Sequence, residues 1–209
     1  MRIKICIGVA ALICSGLGQS ASAQNQFSNP GFEDPITFDG PPFVGSWEGF
    51  SSGGPAASGN STITPRTGLQ DMRLAILNQS NAFAGAFQDV ANLTAGSPVT
   101  FSGWHLTTSN PFDVVVEVRI EWRNSVSNTE ITRTPNMTPA LTGAYTLFTL
   151  NSVVPAGADT ARCVYAIQTF TDNATHNGVV YVDDASFIPA PTTFAMAMCG
   201  MGMLGRRRR

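Results

Sequence analysis

Apolar and polar residues alternate in short runs along this chain. The clearest run is FDVVVEVRIEWRN at positions 112–124. Val114, Val116, Val118, Ile120 and Trp122 share one parity; Val115, Glu117, Arg119, Glu121 and Arg123 share the other. A period of two predicts a β-strand with one buried face and one wet, charged face. Opposite charges at Glu117, Arg119 and Glu121 suit cross-strand pairing in an antiparallel sheet. Further strands are predicted at 72–77, 84–90, 98–106, 145–151, 161–169 and 178–187. Turn signals such as Thr142-Gly143-Ala144 and Pro155-Ala156-Gly157-Ala158-Asp159 separate them. The segment 51–65, SSGGPAASGNSTITP, is too small and polar to pack, so a long loop is expected there. Beyond the first 23 residues no stretch holds a 3.6-residue period with helix caps. Many short strands broken by Gly, Pro and Asn predict an all-β, antiparallel two-sheet sandwich or a barrel.

Both ends depart from this pattern. Arg2 and Lys4 precede an apolar run from Ile5 to Leu17, which closes on Ala21-Ser22-Ala23. That is the layout of a secretory signal peptide, a short helix cut after Ala23. Lipid attachment at Cys14 is the rival reading, and Ile13 argues against it, because the preceding residue is normally small. The other end reads PAPTTFAMAMCGMGMLGRRRR. Positions 192–205 are uncharged and 14 residues long, whereas a stable membrane span needs about 20. Arg206, Arg207, Arg208 and Arg209 would stay cytoplasmic. The expected division is 1–23 signal peptide, 24–188 β-sandwich, and 189–209 tail with a short hydrophobic helix.

Between the ends, charge and cysteine usage narrow the function. Residues 24–188 hold six arginines, no lysine and fourteen acids, a formal charge of −8. Such a domain is a poor partner for nucleic acid or anionic membrane, and it is compatible with a divalent cation. Only Cys163 falls within it, so no disulfide can form inside the domain and burial must hold the core.

The order of features resembles a jelly-roll carbohydrate-binding module of the galactose-binding-like kind. The matching stretches are NPGFEDP (29–35), GLQDMRLAI (68–76), LTAGSPVTFSGWHL (93–106), Tyr145-Thr146-Leu147-Phe148 and GVVYVDDASF (178–187). Val99 stands where that family has an aromatic. The tail resembles the PEP-CTERM sorting signal of exported bacterial proteins: Pro189-Ala190-Pro191, an apolar run from Phe194 to Leu204, then the arginine cluster. Ala190 replaces the usual Glu. The two resemblances together imply an exported envelope or matrix protein. It would be held briefly in the inner membrane, processed by a membrane-embedded sorting protease of the exosortase type, and carry a non-catalytic domain that binds polysaccharide. A purely structural envelope protein and a jelly-roll glycoside hydrolase or lyase are the alternatives.

The family's structural calcium, carried onto matching positions, would use Glu33, Asp183, the Gly31 carbonyl, Asp71 and the Arg73 carbonyl; calcium takes several such oxygens. Asp183 shares parity with Ala185 and Phe187, so it is expected to point inward, where a carboxylate needs a cation or hydrogen-bond donors. Alternatively Asp184 is solvated and Glu33 caps a turn. Trp47, Trp104 and Tyr145 are the candidates for stacking on sugar. Trp122 belongs to the core by parity, and Trp104 has the opposite parity from Val99, Phe101 and Gly103. Catalytic signals are poor. His105 and His176 are far apart, neither G-x-S-x-G nor H-E-x-x-H occurs, and Glu117 and Glu121 sit beside Arg119 and Arg123 like a plain solvated surface.

Overall fold

A computed structural model describes residues 24–190 of the chain. The signal segment with Ala23, and Pro191 onward with the terminal arginines, lie outside the described residues. Ten strands form two five-stranded antiparallel sheets: β1 (Glu48–Ser51), β2 (Ala57–Ser61), β3 (Asp71–Gln79), β4 (Phe83–Val90), β5 (Pro98–Thr107), β6 (Val115–Asn124), β7 (Thr129–Arg133), β8 (Thr146–Val153), β9 (Thr160–Gln168) and β10 (His176–Pro189). The first sheet has the order β1-β4-β9-β6-β7 and the second β2-β3-β10-β5-β8. The two pack face to face, and no helix occurs among the described residues.

Alternation in the sequence builds the core. Val116, Val118, Ile120 and Trp122 of β6 are all at most 4% exposed. They join Met72, Leu74 and Ile76 of β3, Val99 and Phe101 of β5, and Phe187 of β10 in one hydrophobic cluster. Burial of this kind is worth about 1.5–3 kcal/mol for each large side chain. Strand β4 alternates in the less obvious sense: Ala84 and Ala86 point inward and Phe83 and Phe87 outward. Their partners on β9, Ile167 and Tyr165, fill the interior at that level. One polar contact crosses the core. His105 on β5 meets Tyr165 on β9 through Nδ1 and the phenol oxygen at 2.7 Å, and both residues are buried.

Strand β10 corrects the expected orientation of Asp183. Asp183 pairs with Trp104, but Ser186 pairs with Ser102, so Asp184 and Ala185 face a single residue of β5. Asp184 has φ 48°. This is a β-bulge, and the extra residue switches parity along the strand. Val180 and Val182 point inward before it, and Ala185 and Phe187 after it. Asp183 therefore lies on the outer side of the second sheet with Trp104. It is nevertheless fully buried, because a loop roofs it.

Three strands fall where none was expected. β1 and β7 are edges of four and five residues, and β2 lies inside the segment read as loop. Ala57–Ser61 pairs with β3 from Ala75 to Asp71. An edge strand needs backbone hydrogen bonds on one side only, so its composition can be poor. Asn60 adds specificity: its side chain donates to the Phe32 and Asp34 carbonyls and accepts from Ile36 N–H. Cys163 is a free, buried thiol. The first described residues meet β10, where the Asn25 side chain donates to the Ala185 carbonyl and accepts from Phe187 N–H.

Candidate functional site

The outer face of the first sheet carries a groove. Register across the strands sets its rows: Phe50–Gly85–Ala166–Glu117, then Phe87–Val164–Arg119, then Asp89–Arg162–Glu121–Arg133. Small residues form the floor, and Val164 and Ala166 are nearly inaccessible. On one side runs a chain of rings, Phe43, Phe87, Phe50, Phe83 and Phe170, with successive centroids 5.0–6.1 Å apart. On the other side stand Glu117, Arg119 and Glu121. The depression between them, lined by Phe50, Phe87, Arg119, Glu121, Arg162 and Val164, is open and about 220 Å³ in volume.

Two features fix this geometry. A Cβ on Gly85 would lie 2.4 Å from Phe50 Cζ and 2.8 Å from the Tyr165 carbonyl, so glycine lets the Phe50 ring lie down on the sheet. Arg162 donates through Nε and Nη2 to both Asp89 oxygens at 2.8 and 2.9 Å. Its guanidinium also lies over Phe87 at 4.1 Å and Phe43 at 4.6 Å. A planar fork held at its edge and on its faces cannot easily rotate. Arg119 donates to Glu121 at 2.8 Å and to Glu117 at 3.2 Å. These charges are a networked wall with Glu121 only 7% exposed, which corrects the reading of this face as plain solvated surface.

Sequence reasoning missed Phe43, Phe50, Phe83, Phe87 and Arg162. One signal was available in FAGAFQD, where the parity carrying Phe is not the parity carrying Ala. The aromatic residues singled out from sequence lie elsewhere. Trp47 is 1% exposed, wedged against Phe27 and Phe32 with Nε1 donating to the Asn29 carbonyl; it is a core residue, with no face open to a ligand. Trp104 lies outside the second sheet under the Arg66 guanidinium at 3.9 Å. Tyr145 donates to the Thr64 carbonyl at 2.7 Å.

That second face holds the carboxylates expected to bind calcium, each at a different point of the loop 64–70. Asp71 accepts from Thr64 N–H and Oγ1 at 3.2 and 3.0 Å. Asp183 accepts from the Arg66 and Thr67 amides at 2.8 and 3.0 Å through one oxygen, and from Asp184 N–H at 2.7 Å through the other. Glu33 accepts from the Leu69 and Gln70 amides. Gly68, at φ +64°, permits the last contact, since a Cβ there would sit 1.9 Å from Glu33 Oε1. Arg66 closes the clasp with an ion pair to Asp184 at 2.5 Å. Burial raises the pKa of both Asp71 and Asp183.

As a calcium ligand set these residues fit poorly. Asp71 Oδ1 is buried without a partner, but the Asp183 oxygens are taken by amides. Gly31 adjoins Asp183, while Arg73 is paired within the sheet between Gly59 and Tyr181. No three His, Cys, Asp or Glu side chains converge as a metal site among the described residues.

No family model and no curated protein matches the sequence. Solved structures do. The enzymatically active domain of bacteriophage CBA120 tailspike protein 4 superposes with a TM-score of 0.60 at 13% identity, covering 79% of this chain and 21% of that one. The CBM22-1 xylan-binding domain of Paenibacillus barcinonensis Xyn10C gives 0.54 at 12%, covering 80% and 95%. The fold is the jelly-roll sandwich of carbohydrate-binding modules. A family 16 carbohydrate-binding module gives 0.50 at 17%, covering 78% and 99%. About four fifths of the chain thus matches nearly the whole length of two modules of this fold, but only about a fifth of the tailspike domain.

Proposed function

We propose that this chain is an exported, non-catalytic protein whose jelly-roll domain binds polysaccharide in the groove of the first sheet. The observation that carries the reading is the row of outward phenylalanines facing a row of fixed polar groups across a floor of small residues. Sugar rings have apolar C–H faces and hydroxyl edges, and a site with one aromatic and one hydrogen-bonding wall complements both. The similarity to a xylan-binding domain supports the same ligand class. The groove's acids are engaged by arginine: Asp89 with Arg162, and Glu117 and Glu121 with Arg119. A glycosidase needs two carboxylates free to act as acid and base or nucleophile, so binding is favoured over cleavage.

The address labels belong to the same proposal. The signal peptide directs export, and the Pro-Ala-Pro tail with its arginines marks a transient inner-membrane intermediate for an exosortase-type protease before release to the cell surface. A structural envelope role without sugar binding is the second reading. A glycan-binding screen separates the two. Phe50→Ala and Phe87→Ala should each weaken binding at least about tenfold while leaving the protein folded; unchanged affinity in both would move the site elsewhere. The absence of any glycan ligand for the folded protein would favour the structural role.

A further inference from the structure

We propose that the ligand of the groove is an uncharged polysaccharide, selected because the open face of the first sheet is a closed mosaic of paired charges. This rests on the reading that the groove binds polysaccharide. Four of the six arginines in residues 24–188 stand on this face, Arg119, Arg123, Arg133 and Arg162, and four acids stand among them, Asp89, Glu117, Glu121 and Glu130. A fifth acid, Glu48, is covered by residues 37–40 and accepts from Thr37 Oγ1 and Gly40 N–H. The face is therefore formally neutral, or −1 with Glu48 counted, on a domain of charge −8.

The pairing is local as well as numerical. Arg162 gives Nε and Nη2 to Asp89. Arg119 divides its donors between Glu117 and Glu121. Arg133 donates to both Glu130 oxygens at 2.6 and 2.7 Å, and Arg123 donates to the Asn128 carbonyl. At Arg119, Arg133 or Arg162 an incoming carboxylate or sulfate would have to break a pair and would then lie beside the displaced acid; at Arg123 it would compete with the Asn128 carbonyl. It would also approach a domain whose remaining residues include ten acids, three of them buried, against two arginines. A hydroxyl both donates and accepts, and it can join the unused lone pairs of the wall without disturbing a pair.

The test measures affinity of the purified protein for xylan, β-glucan, galactan and mannan against polygalacturonate and alginate. Each is run at about 20 mM and about 500 mM NaCl, where the screening length is roughly 20 and 4 Å. The neutral glycan that binds should change in affinity by less than about twofold between the two salts, and the acidic polymers should bind at least about tenfold more weakly. Glu130→Gln removes the nearer carboxylate of Arg133, leaving Glu121 at 3.8 Å, and raises the charge of the face by one. It should gain polygalacturonate binding at low salt and lose it at high salt. Preference for an acidic polymer, a tenfold fall in affinity with salt, or no gain in Glu130→Gln would overturn the inference while leaving the groove a glycan site. Failure of a folded protein to bind any of the six would overturn the groove reading itself, and the inference with it.

Discussion

Single residues in this sandwich show which of two physical demands prevailed at each position. His105 is the sharpest case. Burial pushes its pKa from 6.5 down to about 4, so the folded chain refuses a proton that the unfolded chain takes up. Stability is then complete above about pH 6.5 and falls as pH drops through the window to about 4, by up to about 3 kcal/mol. Asp71 and Asp183 act in the opposite sense. Their raised pKa lets the folded form take up protons before the unfolded form does, which softens the loss at the acid end. Between pH 7 and 5 the melting temperature should decline, and His105→Gln should remove most of that slope. An equal slope in the variant would assign the acid sensitivity to other groups. Gly85 offers a test on the groove face. Gly85→Ala places a methyl against Phe50 and the Tyr165 carbonyl, at a cost of about 1–3 kcal/mol. The lifted ring should also weaken glycan binding more than the stability loss alone explains, as isothermal titration at a temperature where both proteins are folded would report.

At the scale of elements, what was legible in the sequence was whatever period two controls. β6 could be read because its inward residues are large and apolar and its outward ones mostly charged, and so could the start of β5, where Val99 and Phe101 alternate with Thr100 and Ser102. β2 could not, because ASGNS has no pattern to show; its place is set by the edge of β3 and by Asn60. The sense of β4 was hidden because phenylalanine is expected inside, and here the interior beside it was already filled by Tyr165 and Ile167. That exception is the candidate site, since outward aromatics on a strand with inward alanines reduce burial for the sake of a surface. The bulge at Asp184 escaped for another reason. A one-residue insertion leaves no mark in the alternation until its partner strand is known. The bulge leaves Asp183 facing the loop 64–70, whose backbone amides meet three carboxylates. Asp183→Ala would strand the Arg66 and Thr67 amides and should lower stability by about 3 kcal/mol, seen as a lower urea midpoint. Chelator should leave the melting temperature of the wild-type protein unchanged, since backbone amides already meet both Asp183 oxygens and one Glu33 oxygen. A fall of several degrees would mean that the loop reorganises around an ion.

For the whole molecule, the fold ties its first described residues to its last. Asn25 bonds to Ala185 and Phe187 across 160 and 162 positions, and Gln26 N–H donates to the Phe187 carbonyl. Contacts this distant are costly in loop-closure entropy and slow folding. They also bear on the tail. The expected boundary after residue 188 falls inside the fold: Pro189 pairs with Val99, and Ala190 N–H donates to the Pro98 carbonyl at 2.8 Å. A sorting protease needs an extended, accessible segment, and a residue hydrogen-bonded into a sheet must first be pulled out. Cutting within 189–190 would therefore have to break the pairing of β10 with β5, whereas cutting at or beyond Pro191 leaves the sandwich whole. The proposed export and tail processing predict that intact-mass measurement of the surface protein finds Gln24 at its start and a C-terminus that keeps Ala190 and lacks Arg206 to Arg209. Truncation after Ile188 should lower stability by about 1 kcal/mol relative to truncation after Ala190, because it removes the one hydrogen bond that holds the tail's first residues to the sheet. Equal stability of the two truncations, or a mature protein ending before Pro189, would show that this strand end opens freely.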